Sequence, residues 1–230
     1  MLKKKLTITL LLLPLLALGS KQQIFINGML PAIKQANQQI LQDHQHLVLL
    51  YKEYQLNPKV LSKQDQSWLT VVAQNYDVEN FSAENEQQWV ELIKRVDIVP
   101  ISLALAQAIN ESSWGESRFA KQANNYYGQW CYQASCGIVP EKRPNGDFYE
   151  VKYFTDRFQS VATYMHNLNT HASYSHFRNI RYELREKGQP LNGYVLVTAI
   201  NGYAPHQSDY ISQLQQLITR YQLYQYGSFN

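Results

Sequence analysis

Apolar positions recur at helical spacing through most of the chain. From Pro31 to Tyr54 the stripe is Ile33, Ile40, Leu47 and Tyr51, and Leu56 to Pro58 ends it. A period near 3.6 residues places such positions on one face of an amphipathic helix. Ser62-x-x-Asp65 has the form of a capping box ahead of Trp68, Leu69 and Val72, and Ser82 opens a segment whose core face is Trp89, Leu92, Ile93 and Val96. The next helix starts at Pro100, whose fixed φ and missing N–H suit a first turn. Its stripe is Ile101, Ala104, Leu105 and Ala108, extended by Glu111 and Ser112. A closing helix from Ser208 carries Ile211, Leu214, Leu217 and Ile218 on one face.

Between Gly137 and Thr155 the period changes. Gly137 to Pro140 leads into a Pro144-Asn145-Gly146-Asp147 turn, and Phe148 to Phe154 then alternates, which predicts a β-hairpin, since Asn-Gly supplies the positive φ of tight turns. The pattern therefore predicts an α+β fold, predominantly helical, with a small β-hairpin lobe. Residues 20–95 read as an N-terminal helical extension and 96–230 as a second domain, with a soft boundary near Val96. No Gly-, Pro- or Ser-rich linker marks that boundary, so one interlocked domain fits equally. Internal repeats and low-complexity tracts are absent.

The amino terminus has a separate job. Lys3, Lys4 and Lys5 precede the apolar run Leu6 to Leu18 and the small residues Ala17, Gly19 and Ser20, the form of a secretory signal peptide over residues 1–19. The run is shorter than the ~20 residues needed to cross a bilayer as a helix, so no stable membrane span is expected after its removal. An uncleaved short anchor is the alternative. Export to the periplasm or cell envelope follows as an expectation. It makes Cys131 and Cys136 more suited to a loop-closing disulfide than to a redox pair or metal site, two free thiols being the other reading. His44 and His46 lie well upstream and complete no zinc set. No metal or cofactor is expected.

Composition narrows the partners. The net charge of +3 comes from the three terminal lysines, without which basic and acidic residues both number 18, so nothing points to nucleic acid. The 17 Tyr and 4 Trp offer flat amphipathic rings suited to sugar faces as well as to a core. Glu111 is the leading chemical candidate. A carboxyl on a core-leaning stripe is desolvated, which raises its pKa toward that of a general acid working near neutral pH. The plain alternative is a helix-end Glu paired with a neighbour such as Arg118.

The residues around Glu111 carry a resemblance. Ala106-Gln107-Ala108, Glu111-Ser112-Ser113-Trp114-Gly115, Ser117-Arg118-Phe119-Ala120, Ala123-Asn124-Asn125 and Gly128-Gln129-Trp130-Cys131 closely resemble the signature of bacterial glucosaminidases of glycoside hydrolase family 73, nearest the Bax-type branch. Related patterns recur at Phe158 to Ala172 and at Asn201-Gly202-Tyr203-Ala204, so the resemblance spans roughly Val96 to Tyr224. It implies a lysozyme-like helical domain with a small β-lobe and the glycan strands of peptidoglycan as substrate. It also implies catalytic roles for Glu111, for a β-lobe acid best matched by Glu141 with Glu150 as the lesser candidate, and for Tyr203 beside the acid. Two departures stand out: Pro205-His206 follows where Thr-Asp is common, and Ser113 replaces a usual glycine.

The implied reaction is cleavage of the β-1,4 bond after N-acetylglucosamine through an oxocarbenium-like transition state, with Glu111 protonating the leaving oxygen. Glu141 as base, or the substrate's N-acetyl group assisted by Tyr203, both complete it. Trp114, Tyr126, Tyr127 and Trp130 are candidate sugar-stacking walls, against a packing role for each. Within enzymes the rival is a lytic transglycosylase, which also places Glu-Ser at a helix end. Outside them it is a non-catalytic peptidoglycan-binding protein that keeps the groove.

Overall fold

The computed structural model describes residues 20–200 and 207–227. The signal peptide expected over residues 1–19 and the candidate Tyr203 lie outside the described residues. Nine α-helices and three short strands follow one another among them. Helix α1 (Ser20–Leu56) precedes α2 (Lys63–Asn75) and α3 (Glu86–Arg95), and α4 (Ile101–Ser112) leads through α5 (Arg118–Ala123) to the sheet. Strands β1 (Trp130–Cys131), β2 (Gly137–Ile138) and β3 (Glu150–Lys152) form it, followed by α6 (Arg157–Thr170), α7 (Ser175–Glu186), α8 (Gly193–Leu196) and α9 (Gln207–Arg220). The predominantly helical α+β architecture is as expected. No helix among the described residues is long and apolar enough to cross a membrane.

Local chemistry explains most helix starts. Ser62 and Asp65 form the reciprocal capping box at α2. Helix α3 begins later than the expected Ser82, because the Asn85 side chain accepts the N–H groups of Gln87 and Gln88 and so caps it. Helix α1 begins well before the expected Pro31, which sits inside it at an exposed position. The apolar positions ahead of Pro31, Phe25, Ile26 and Met29, are buried, and tertiary burial carries the helix through a residue that cannot donate its N–H.

Helix α4 departs most from its sequence pattern. Rather than burying one stripe, it is buried on every side from Ile101 to Ile109, since α1, α8, α9 and the turn after α9 all pack on it. Ala104, Ala106 and Ala108 keep it thin enough for that crowding. The core does not divide at Val96 either. Phe25, Ile26, Met29, Ile33 and Ala36 of α1 share one cluster with α4, α6 and α9, while Leu47 and Leu50 of the same helix join Leu69, Val72, Trp89 and Leu92 in a second.

A buried polar hub links the two clusters. Arg181 of α7, fully buried, donates to the carbonyls of Lys94, Asp97 and Ile98, and Arg185 makes a two-pronged pair with the Asp97 carboxylate at 2.8 and 3.2 Å. Burial alone would push the Asp97 carboxyl up, but the two guanidiniums hold it below its ordinary value. His44 Nδ1 donates to Val96 O at 2.6 Å from the α1 side.

The expected hairpin is present as β2 and β3, and β1 adds to it, giving the antiparallel order β1-β3-β2. Cys131 and Cys136 are joined by a disulfide with Cα atoms 6.2 Å apart. Gly137 is required by space: a Cβ there would lie 2.0 Å from Val151 O.

Candidate active site

Glu111 stands in the last turn of α4, half-buried. Behind it the chain turns through three successive left-handed residues, Ser113, Trp114 and Gly115, with φ of 50°, 62° and 77°. Left-handed backbone costs an L-residue energy, so the turn needs holding. Ser112, fully buried, is the latch: its Oγ donates to Ala108 O at 2.6 Å and accepts the Gly115 N–H at 2.8 Å. The serine of the Glu-Ser pair is thus a turn former. Gly115 has a second reason to be glycine, because a Cβ would meet Phe25 ring carbons at 3.0 Å.

The carboxyl of Glu111 is raised above its ordinary value, by burial first, with hydrogen bonds from Asn110 and Tyr210 opposing. Asn110 Nδ2 donates to Oε1 at 3.2 Å. Opposite, the chain passes the acid at Gly128 (φ 66°), where a Cβ would stand 3.9 Å from Glu111 Oε2. A side chain at that position would reach toward the carboxyl, and glycine leaves the approach open. Asn125 fixes this passage: its Oδ1 accepts the Gln129 N–H, and its Nδ2 donates to Gln129 O and Lys152 O, tying the loop to β3.

The other candidate residues fall in different environments. Trp130 is 54% exposed and stacks on Tyr149 with ring centroids 4.4 Å apart at 18°. It lies two residues beyond Gly128, on the β-lobe. Trp114 is half-buried between Phe25 and Tyr221, at 5.9 and 4.7 Å edge-on. Tyr126 and Tyr127 are core residues: Tyr126 accepts from Arg157 Nε at 3.0 Å, and Tyr127 lies flat on Tyr164 at 3.8 Å. Neither ring presents a face to solvent. Glu141 is exposed on the β-lobe and pairs with Arg118 at 3.5 Å. Glu150 is buried and accepts the N–H groups of Ser135 and Gly137, so it braces the disulfide loop. Its carboxylate comes within ligand spacing of Cys131 and Cys136, but both sulfurs are spent in the disulfide.

Three residues near Glu111 were given no role of their own from the sequence, Gln107 entering only within the Ala106-Gln107-Ala108 motif. Gln107 is buried one helical turn ahead of it on α4, Tyr210 of α9 comes within hydrogen-bonding reach of it, and Tyr174 is coupled to it electrostatically. A lone glutamine inside the apolar run of α4 was a readable signal for the first. The tyrosines become neighbours only through packing.

Glu111 is thus a half-buried carboxyl beside a glycine passage, between the helical body and the small sheet. Residues 86–223 match the family described as Glucosaminidase, mannosyl-glycoprotein endo-beta-N-acetylglucosaminidase, and the chain belongs to that family of glycosidases acting on glycans. It is also similar to Protein bax of Escherichia coli (strain K12), with 29% identity over 195 residues, covering 84% of this chain and 67% of that protein. The Bax-type resemblance expected from the motifs is thereby met. No solved structure matches.

Proposed function

We propose that the protein is an exported peptidoglycan hydrolase, an endo-β-N-acetylglucosaminidase that cleaves the β-1,4 bond after N-acetylglucosamine with Glu111 as general acid. The Glu111 environment carries this reading: burial raises the carboxyl, Gly128 leaves it approachable, and the family acts on glycans. A carboxyl raised above its ordinary value keeps its proton to higher pH and can deliver it as the glycosidic bond lengthens and positive charge develops on the sugar ring. The exposed Trp130–Tyr149 stack offers a flat face for a sugar beside it. Glu141, on the β-lobe, is the proposed water-activating carboxylate; inversion at the anomeric centre follows from that role. Retention would assign the step to the substrate's own N-acetyl oxygen, with Tyr203 alongside. Export is supported by the disulfide and by the lysine-led apolar amino terminus.

The test is digestion of purified peptidoglycan by the mature protein and by Glu111→Gln, with mass spectrometry of the products. Expected are reducing N-acetylglucosamine ends from the wild type and a loss of ~10²-fold or more in the variant. Anhydro-muramoyl ends would instead make the protein a lytic transglycosylase. Retained glycan binding with no cleavage by either form would make it a binding protein.

A further inference from the structure

The floor of the site is a single hydrogen-bonded chain drawn from three helices. Tyr164 of α6 donates its hydroxyl to Gln107 Oε1, and both residues are buried. Gln107 Nε2 donates in turn to the Tyr210 hydroxyl oxygen at 2.9 Å. Tyr210 comes within hydrogen-bonding reach of the Glu111 carboxyl, four residues along α4 from Gln107. Each link constrains the next. With its carbonyl oxygen taken by Tyr164, the Gln107 amide presents only N–H to Tyr210. A phenol has one proton, so a Tyr210 oxygen that accepts from Gln107 still has that proton to give to the carboxylate.

We propose that Tyr210 and Gln107, backed by Tyr164, are positioning residues that aim one hydrogen bond at the ionised Glu111 carboxylate and thereby set where this acid gives up its proton. The proposal rests on the reading of Glu111 as general acid. A donor fixed toward the ionised form favours that form and acts against the burial that raises the group. It also holds the carboxyl in one orientation, which a proton delivered in a transition state requires. Among the described residues, the titratable groups coupled to Glu111 are Tyr164, Tyr174 and Tyr210. Burial pushes all three phenols up, Tyr174 to about 12 and the other two well beyond their ordinary value. They stay neutral over the range in which Glu111 titrates, so none of the three supplies a pH limb there, and an NMR titration separates Glu111 from Glu141.

The experiment compares pH profiles of kcat and kcat/KM for wild type, Tyr210→Phe, Gln107→Met and Tyr164→Phe on peptidoglycan. The Glu111 titration is followed in parallel by ¹³C NMR of carboxyl-labelled protein, assigned by difference from Glu111→Gln. Tyr210→Phe keeps the buried ring and removes the donor, so the alkaline limb and the NMR titration should both move up by about one pH unit, the scale of one hydrogen bond to a charged group. The kcat should fall about tenfold or more with KM little changed. Gln107→Met should shift the limb less, and Tyr164→Phe least. Equal shifts for all three, or none for a folded Tyr210→Phe, would overturn the proposal. If the NMR titration moves as expected while activity proves independent of Glu111, the relay stands and the general-acid reading falls. Thermal melts separate misfolding from loss of aim, and a Tyr210→Phe that melts near wild type yet keeps its limb unmoved counts against the relay.

Discussion

Phe25 lies far ahead of the family match at residues 86–223, yet it backs the turn that presents Glu111. The side chain is 6% exposed, edge-on to Trp114 with centroids 5.9 Å apart and tilted against Tyr126 at 6.1 Å. Its ring carbons fill the space where a Cβ on Gly115 would lie. Phe25→Ala removes a ring whose neighbours belong to two separate segments, the turn at Trp114 and Gly115 and the passage at Tyr126, so the site cannot close up as one piece. A buried Phe→Ala change costs about 3–5 kcal/mol on that account, the ring contacts included. For a protein of this size each kcal/mol lowers Tm by about 2–4 °C, so the expected fall is about 6–20 °C in a circular-dichroism melt. Peptidoglycan clearance measured well below that temperature should drop too, because the Ser113-Trp114-Gly115 turn loses its backing, and Phe25→Leu should lie between. A Phe25→Ala protein melting within about 2 °C of wild type would refute the reasoning and make residues 20–85 a dispensable attachment.

The hub at Asp97 should be as sensitive: Asp97→Ala leaves Arg181 charged and wholly buried, a loss of about 3–5 kcal/mol readable as a lower denaturant midpoint at unchanged slope. Glu111→Gln should stabilise the protein, and only above acid pH. The folded carboxyl is raised by burial, so the stability it allows is intact below the ordinary carboxylate range and is lost as pH rises through the raised value, a loss the amide does not suffer. The Tm difference between variant and wild type should therefore be near zero at about pH 4 and positive at about pH 8, and a constant difference would contradict the burial assignment. Gly193→Ala should cost about 1–3 kcal/mol, since its Cβ would stand 2.3 Å from Ser102 Oγ and 2.8 Å from the backbone of Leu103, jamming α8 against α4. The double change Cys131→Ser, Cys136→Ser closes no loop and should lose about 2 kcal/mol at most, seen as faster proteolysis between β1 and β3 rather than global unfolding.

Much of this protein is legible in its residue pattern, because the signals involved are local. The capping box at Ser62, the 3.6-residue spacing of α3 and α9 and the change to alternation after Gly137 each act within a few residues, and the structure has the elements they announce. The end of α4 just after Glu111 was legible for the same reason, because the Ser113-Trp114-Gly115 run can hardly continue a helix. Tertiary structure decided what those signals leave open. The start of α1 depended on Phe25, Ile26 and Met29 finding a core on α4 and α6, a gain large enough to run the helix through Pro31. Tyr126 and Tyr127 carry the same rings as a sugar platform would, and only the packing of Arg157 and Tyr164 against them turned both inward. Glu141 and Glu150 are equivalent as letters; the disulfide loop captured Glu150 as an acceptor for two backbone N–H groups and left Glu141 outside. Tyr210 reached Glu111 from the far end of the chain, which no spacing rule can foresee, because side-chain period speaks of one element's own face and not of which distant element that face will meet.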